Sequence, residues 1–169
     1  MSLLDWNGYL EHRSPFDLQD FTANIGKGNC TIFAEMVYQR TGKYLQFLPW
    51  CVTFIFAVYE HPRRLGKPCA GVSTLRRRMV LRGKWRGVQY RAKRNDLIFC
   101  RNIPSGAIDH VGIVLLADDQ HVVSIDGNTV DPTGVFEPSL GGSVAIRKRA
   151  LDDWHIAGYA KLGDYNDSV

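Results

Sequence analysis

The chain has 169 residues, 45% hydrophobic and 22% charged, with a formal net charge of +4. That length suits one domain, spanning 1–169, with a core large enough to need neither disulfides nor a structural metal. No apolar run approaches the length of a membrane span, and Met1 to Glu11 interleaves Asp5, Asn7 and Glu11 with Leu and Trp, which excludes the basic-then-apolar layout of a secretory signal.

Taken in chain order, the first clear element begins near Asn29, where Ile32, Phe33, Met36 and Val37 recur at helical spacing and Gly42 ends the run. Asn29 or Thr31 is placed to cap it. A second helix is predicted from about Pro49 to Tyr59, with Cys51, Phe54, Ile55 and Val58 on one face. A short third helix is predicted from Ser73, as its cap, to Val80. After Asn95 the pattern changes to short β-branched runs bounded by turn residues: Asp96 to Cys100, His110 to Leu116, His121 to Asp126, Val144 to Arg149 and Ile156 to Leu162. Helices followed by mostly antiparallel strands predict an α+β fold.

The basic residues cluster from Arg76 to Arg94. Such a run is either a solvated face or a patch that concentrates the protein on an anionic polymer. No nucleic-acid recognition signature accompanies it, which disfavours nucleic acid as the partner. The four cysteines, Cys30, Cys51, Cys69 and Cys100, form no Cys-x-x-Cys pair and lack the histidine spacing of a zinc site, so no metal or cofactor is expected. Cys30 and Cys100 read as small core hydrophobes.

Cys51 differs because it falls in the first turn of a predicted helix. Unpaired N–H groups and the helix dipole there favour an anion, and a thiolate is the nucleophilic form of cysteine. Gly112 follows His110 at the head of His110-Val111-Gly112-Ile113-Val114-Leu115-Leu116, a segment apolar on both faces and therefore a central strand. A glycine on the histidine's face is expected to let the Cys51 helix approach the strand. The remaining histidines, His12, His61, His121 and His155, read as surface residues. On the next strand Asp126 and Asn128 share a face and are chemically able to orient an imidazole, but Asp126-Gly127-Asn128 equally resembles a turn.

The ordered segments Leu48-Pro49-Trp50-Cys51-Val52-Thr53-Phe54-Ile55, Asn95-Asp96-Leu97-Ile98-Phe99, Asp109-His110-Val111-Gly112-Ile113-Val114 and Ser124-Ile125-Asp126-Gly127-Asn128-Thr129 resemble the CHAP family. These are cysteine- and histidine-dependent amidohydrolases/peptidases, relatives of the NlpC-type cell-wall hydrolases. The resemblance runs from about Asn29 to about Leu162 and includes Ile156-Ala157-Gly158-Tyr159-Ala160. It implies a papain-like fold, with N-terminal helices packed on a central antiparallel sheet, and hydrolysis of a peptidoglycan amide through an acyl-enzyme. By position it implies that Cys51 is the nucleophile, His110 the base, Asp126 the acidic third member and Asn128 an accompanying polar residue. It further implies an oxyanion hole using the Cys51 N–H, with Asn29 a guess for the second donor.

Two departures leave the third member open between Asp126 and Asn128. Asp109 stands where many relatives have Gly or Ser, and Asp126 where Glu is common. The expected partner is bacterial peptidoglycan, with anionic wall polymers as a target for Arg76 to Arg94. The expected setting is synthesis in a bacterial cytoplasm without a signal peptide, then release or delivery to the wall, as for a phage endolysin, a prophage remnant or a secreted toxin. Two alternatives stand beside this: an acyltransferase or transpeptidase on the same Cys–His pair, and a non-enzymatic basic module binding nucleic acid or an anionic surface.

Overall fold

The computed structural model describes residues 1–102, 105–130 and 142–162. Three α-helices precede the main strands: α1 (Ile32–Thr41), α2 (Cys51–Val58) and α3 (Val72–Leu81). The strands are β1 (Trp85–Arg86), β2 (Leu97–Arg101), β3 (Ile108–Ala117), β4 (His121–Thr129), β5 (Ser143–Ala150) and β6 (Ile156–Ala160). They form one sheet in the order β1-β6-β2-β3-β4-β5, with every neighbouring pair antiparallel. The α+β expectation holds.

Helix boundaries follow from local chemistry. Thr31 caps α1 by accepting the Ala34 N–H at 3.2 Å, and Gly42 closes it in the left-handed conformation that glycine adopts at little cost. Trp50 is the N-cap of α2, so Cys51 is its first residue and Pro49 lies just outside. In α3 the cap is Gly71 rather than Ser73, which sits inside the first turn. The two-residue β1 was not predicted, being too short to carry a periodic signal.

Before α1, a short 3-10 turn (Leu3–Trp6) leads into a segment that bridges to the sheet. Leu10 pairs with Ser143, and the Gly8 N–H donates to the Val144 carbonyl at 2.8 Å. Trp6, Tyr9 and Phe21 from this segment pack with Phe33 of α1, which meets Trp50 and Phe54 at ring separations of 5.6 Å and 4.9 Å. His12, expected at the surface, is fully buried and stacks on Tyr9 at 5.6 Å. Its backbone exchanges hydrogen bonds with Cys30, which draws the ring inward.

The sheet has two apolar faces. Leu97, Phe99, Val111, Ile113 and Ile125 face the helices and join Phe54, Ile55, Leu75 and Met79 in the larger core. Ile98, Cys100, Val114, Val122, Ile156 and Tyr159 form a smaller cluster on the other face. Buried Asp96 ties the last strand region to β2: its carboxylate accepts from the Tyr90 hydroxyl at 3.0 Å and from the N–H groups of Lys93 and Leu162 at 2.9 and 3.1 Å. Among the described residues no helix is long and apolar enough to cross a membrane.

Candidate active site

Glu11 and Trp50 set the entrance to α2. The buried Glu11 carboxylate accepts the Trp50 indole N–H at 2.7 Å, fixing the residue immediately before Cys51. Cys51 then occupies the first helical position, 3% exposed. In that position the first-turn N–H groups lie outside the i to i−4 ladder and remain directed towards any acceptor placed beside the sulfur. Phe54 and Ile55, which share its face, are fully buried against the sheet.

Glycines determine how closely the layers meet. A Cβ on Gly127 would lie 2.6 Å from Phe54 Cβ and 2.9 Å from the Trp50 ring, so α2 packs against β4 through that glycine. Gly112, expected to admit the helix, serves a different group. A Cβ there would overlap Asp126 Oδ1, so Gly112 vacates the space that the carboxylate fills. The reason is strand alternation: Val111 and Ile113 face the helices, which turns Gly112 the other way, towards Asp126 on β4.

His110 lies near the start of β3, opposite Cys100 of β2. Its Nε2 is 3.0 Å from Asp126 Oδ2, with the carboxylate wholly buried and the imidazole 21% exposed. Burial opposes charge on the ring, but the hydrogen bond to Asp126, the interaction with Cys51 and the negative charge of both outweigh it, raising His110 to about 10. The imidazole therefore has a carboxylate on Nε2, and Cys51 lies near enough to act on its charge.

Asp126 carries more partners than the imidazole alone. Its Oδ1 accepts the Ser124 hydroxyl at 2.6 Å, and its Oδ2 accepts Arg149 Nη2–H at 2.6 Å. The other arm of the guanidinium, Nη1–H, donates to Ser124 Oγ at 2.8 Å. Burial works against the carboxylate's charge, yet His110, Arg149 and Ser124 together hold it well below the usual carboxylate range.

Of the four residues singled out from the sequence, the fold gathers Cys51, His110 and Asp126. Asn128 lies two residues further along β4 in a left-handed conformation (φ 54°), half-buried, with its side-chain oxygen against Gly142. Among the described residues the imidazole is hydrogen-bonded to Asp126, not to Asn128. The Asp109 carboxylate accepts from Asn102 Nδ2 at 2.8 Å. Asn29, also left-handed (φ 49°), accepts the Phe47 N–H on its carbonyl at 3.0 Å.

Outside the buried pair, Cys51 borders an open cleft of roughly 310 Å³. Leu48 and Pro49 form one wall, Ala70 to Ser73 at the start of α3 another, and Ile108 and Asp109 at the start of β3 the third.

The basic segment is not a uniform array. Arg78 donates to the carbonyls of Leu65 and Lys67 at 2.8 Å, Arg82 to that of Arg64 at 2.9 Å, and Arg86 to those of Gly83 and Trp85. Arg76 lies 4.8 Å over the Trp85 ring, and Arg91 pairs with Asp119 at 2.7 Å. Several of these side chains thus close turns around α3, while Arg77, Lys84 and Arg94 stand exposed.

The four cysteines are free; burial pushes the Cys100 thiol up to about 12, while Cys51 lines the cleft near the His110 imidazole. No protein-family model matches the chain, and neither a curated protein nor a solved structure matches it.

Proposed function

We propose that this chain is a papain-like cysteine peptidase or amidase that hydrolyses an amide bond in bacterial peptidoglycan. The observation that carries the reading is the line from Cys51, at the start of α2, through the His110 imidazole to the buried Asp126 carboxylate. In the proposed reaction Cys51 attacks the amide carbon as a thiolate and the adjacent imidazolium gives its proton to the leaving amine. The Cys51 N–H, at the helix start, faces the developing oxyanion. Water, deprotonated by the neutral imidazole, then cleaves the thioester and regenerates the pair. Asp126 keeps the imidazole in the required tautomer and remains ionised throughout.

The choice of peptidoglycan rests on the resemblance of the Cys51, His110 and Asp126 segments to the CHAP family. The role of Arg77, Lys84 and Arg94 as contacts to anionic wall polymers belongs to the same proposal and predicts wall binding that weakens with salt. Digestion of purified sacculi by the wild type and by Cys51→Ala, with the new termini mapped by mass spectrometry, tests the reading. Release of peptide with a free lactyl carboxylate on the sugar identifies an amidase, and new termini within the peptide identify an endopeptidase. Sacculi left intact by the wild type, across several wall chemistries, would reject peptidoglycan as the substrate. Transfer to an added amine would instead identify an acyltransferase, since the same thioester serves both reactions.

A further inference from the structure

We propose that Arg149 is a positioning residue for the candidate triad, holding Asp126 as an ionised acceptor aimed at His110. The proposal rests on the Cys51–His110–Asp126 reading but not on the identity of the substrate.

Arg149 lies on β5, opposite Val122, and reaches diagonally along the sheet to Ser124 and Asp126. Its two terminal nitrogens make different contacts. Nη2–H donates directly to Asp126 Oδ2, whereas Nη1–H donates to Ser124 Oγ, whose own proton goes to Asp126 Oδ1. The serine hydroxyl thus extends one prong of the guanidinium fork, and the carboxylate is gripped at both oxygens. Gly112 leaves room on the third side. With those directions filled, the remaining approach to Oδ2 is taken by His110 Nε2 at 3.0 Å.

The charge count gives the physical reason. Asp126 has no exposed side-chain surface, and the Arg149 side chain is 11% exposed. An isolated carboxylate in such a place would take up a proton, and a protonated Asp126 could no longer stabilise an imidazolium. Asp126 is faced by His110 from β3, by Ser124 from β4, by Arg149 from β5 and by Cys100 from β2, with Asp153 acting on Arg149 from the turn before β6. Arg149 is the permanent cation in direct contact with the carboxylate in that set. Lysine keeps the charge but, as a point donor, does not reproduce the two-armed grip.

The test reads His110 directly. The Nε2-bound proton resonance of the full-length protein is followed by NMR during acid titration, and the rate of Cys51 carboxamidomethylation by iodoacetamide is measured by peptide mapping over the same range. Circular dichroism confirms folding at each pH. In Arg149→Met the acid limit of both signals should move up by about one pH unit or more, and Arg149→Lys should restore most of that shift while leaving alkylation at neutral pH several-fold slow. Ser124→Ala should shift the limit in the same direction by a smaller amount. If Arg149→Met does not fold, the lysine and alanine variants decide. A folded Arg149→Met with wild-type limits, or lysine and alanine variants both indistinguishable from wild type, overturns the proposal. Neither signal involves a substrate, so inactivity on sacculi would leave this result standing.

Discussion

Gly112 and Asp126 occupy one site between them: the carboxylate oxygen Oδ1 fills the volume where a Cβ on Gly112 would be. The two residues belong to adjacent antiparallel strands, next to the registered pair Ile113 and Ile125. A side chain on β3 at this point and an acid on β4 are therefore mutually exclusive.

Gly112→Ala should accordingly damage the site more than the fold. The added methyl forces the carboxylate off Arg149, Ser124 and His110, and overpacking of this kind costs about 1–3 kcal/mol. We expect a lowered but cooperative melting transition, together with a fall in Cys51 alkylation rate of at least about tenfold. Thermal denaturation and iodoacetamide kinetics on the same preparation check both halves.

Removing His110, the proposed base, should separate binding from chemistry. His110→Ala should lower turnover by about 10²–10⁴-fold while leaving secondary structure intact, because the imidazole is partly exposed and carries little of the core. Asp126→Ala should both slow the reaction and destabilise the protein by about 3–5 kcal/mol, since it strands the Arg149 guanidinium without its carboxylate. Asp126→Asn, which keeps the shape, should recover part of the stability and little of the rate. Near-normal turnover in His110→Ala would refute the mechanism.

The pH dependence follows from two shifts of opposite sign. His110 is raised to about 10, so the stability it contributes is complete below its ordinary value near 6.5 and disappears as pH rises through about 10. Asp126 is depressed, so its contribution is complete above its ordinary value near 3.8 and is lost as pH falls through the lower folded value. In the proposed mechanism the imidazolium is the proton donor, so turnover should hold a plateau on the alkaline side of neutrality and decline towards pH 10. A basic limb near pH 7 would show that Asp126 and Cys51 do not retain the proton on His110.

Glu11 offers a test remote from the imidazole. Glu11→Ala leaves the buried Trp50 indole N–H without its acceptor, which should cost about 1–3 kcal/mol. Because Trp50 is the N-cap of α2, a loss of alkylation rate at Cys51 should accompany the drop in melting temperature. Glu11→Gln, which retains an acceptor, should be milder in both respects.

Periodicity made α1, α2, β2, β3, β4 and β6 readable from the residues, because each buries an apolar stripe, whereas β5 is marked by its β-branched start at Val144 and buries only Ser143 to Ala145. It also placed Cys51 and His110 correctly on their elements. Contacts that depend on register or on side-chain reach were not readable. Arg149 sits among Arg147 and Lys148 on a strand at the sheet's edge, where such residues ordinarily meet solvent, and only the pairing of β4 with β5 brings it under Asp126. Gly112 and Gly127 carry the same letter, and alternation assigns one to the carboxylate and the other to the helix. The burial of His12 and Glu11 reflects the return of the N-terminal segment to Ser143 and Cys30, a long-range bridge with no local pattern.

The strand order has a bearing on assembly. β6 is the last of the described strands yet lies between β1 and β2, with Leu97 registered against Ala160. Until residues near 160 have emerged and threaded into place, β2 presents an unpaired edge, and closing the sheet requires a distant segment to find its slot. A nascent or truncated chain can thus contain Cys51, His110, Asp126 and Arg149 and still lack the strand that supports β2 behind β3. The pairing of β2 with β6 ties the segment that carries these side chains to a strand that follows it in the sequence.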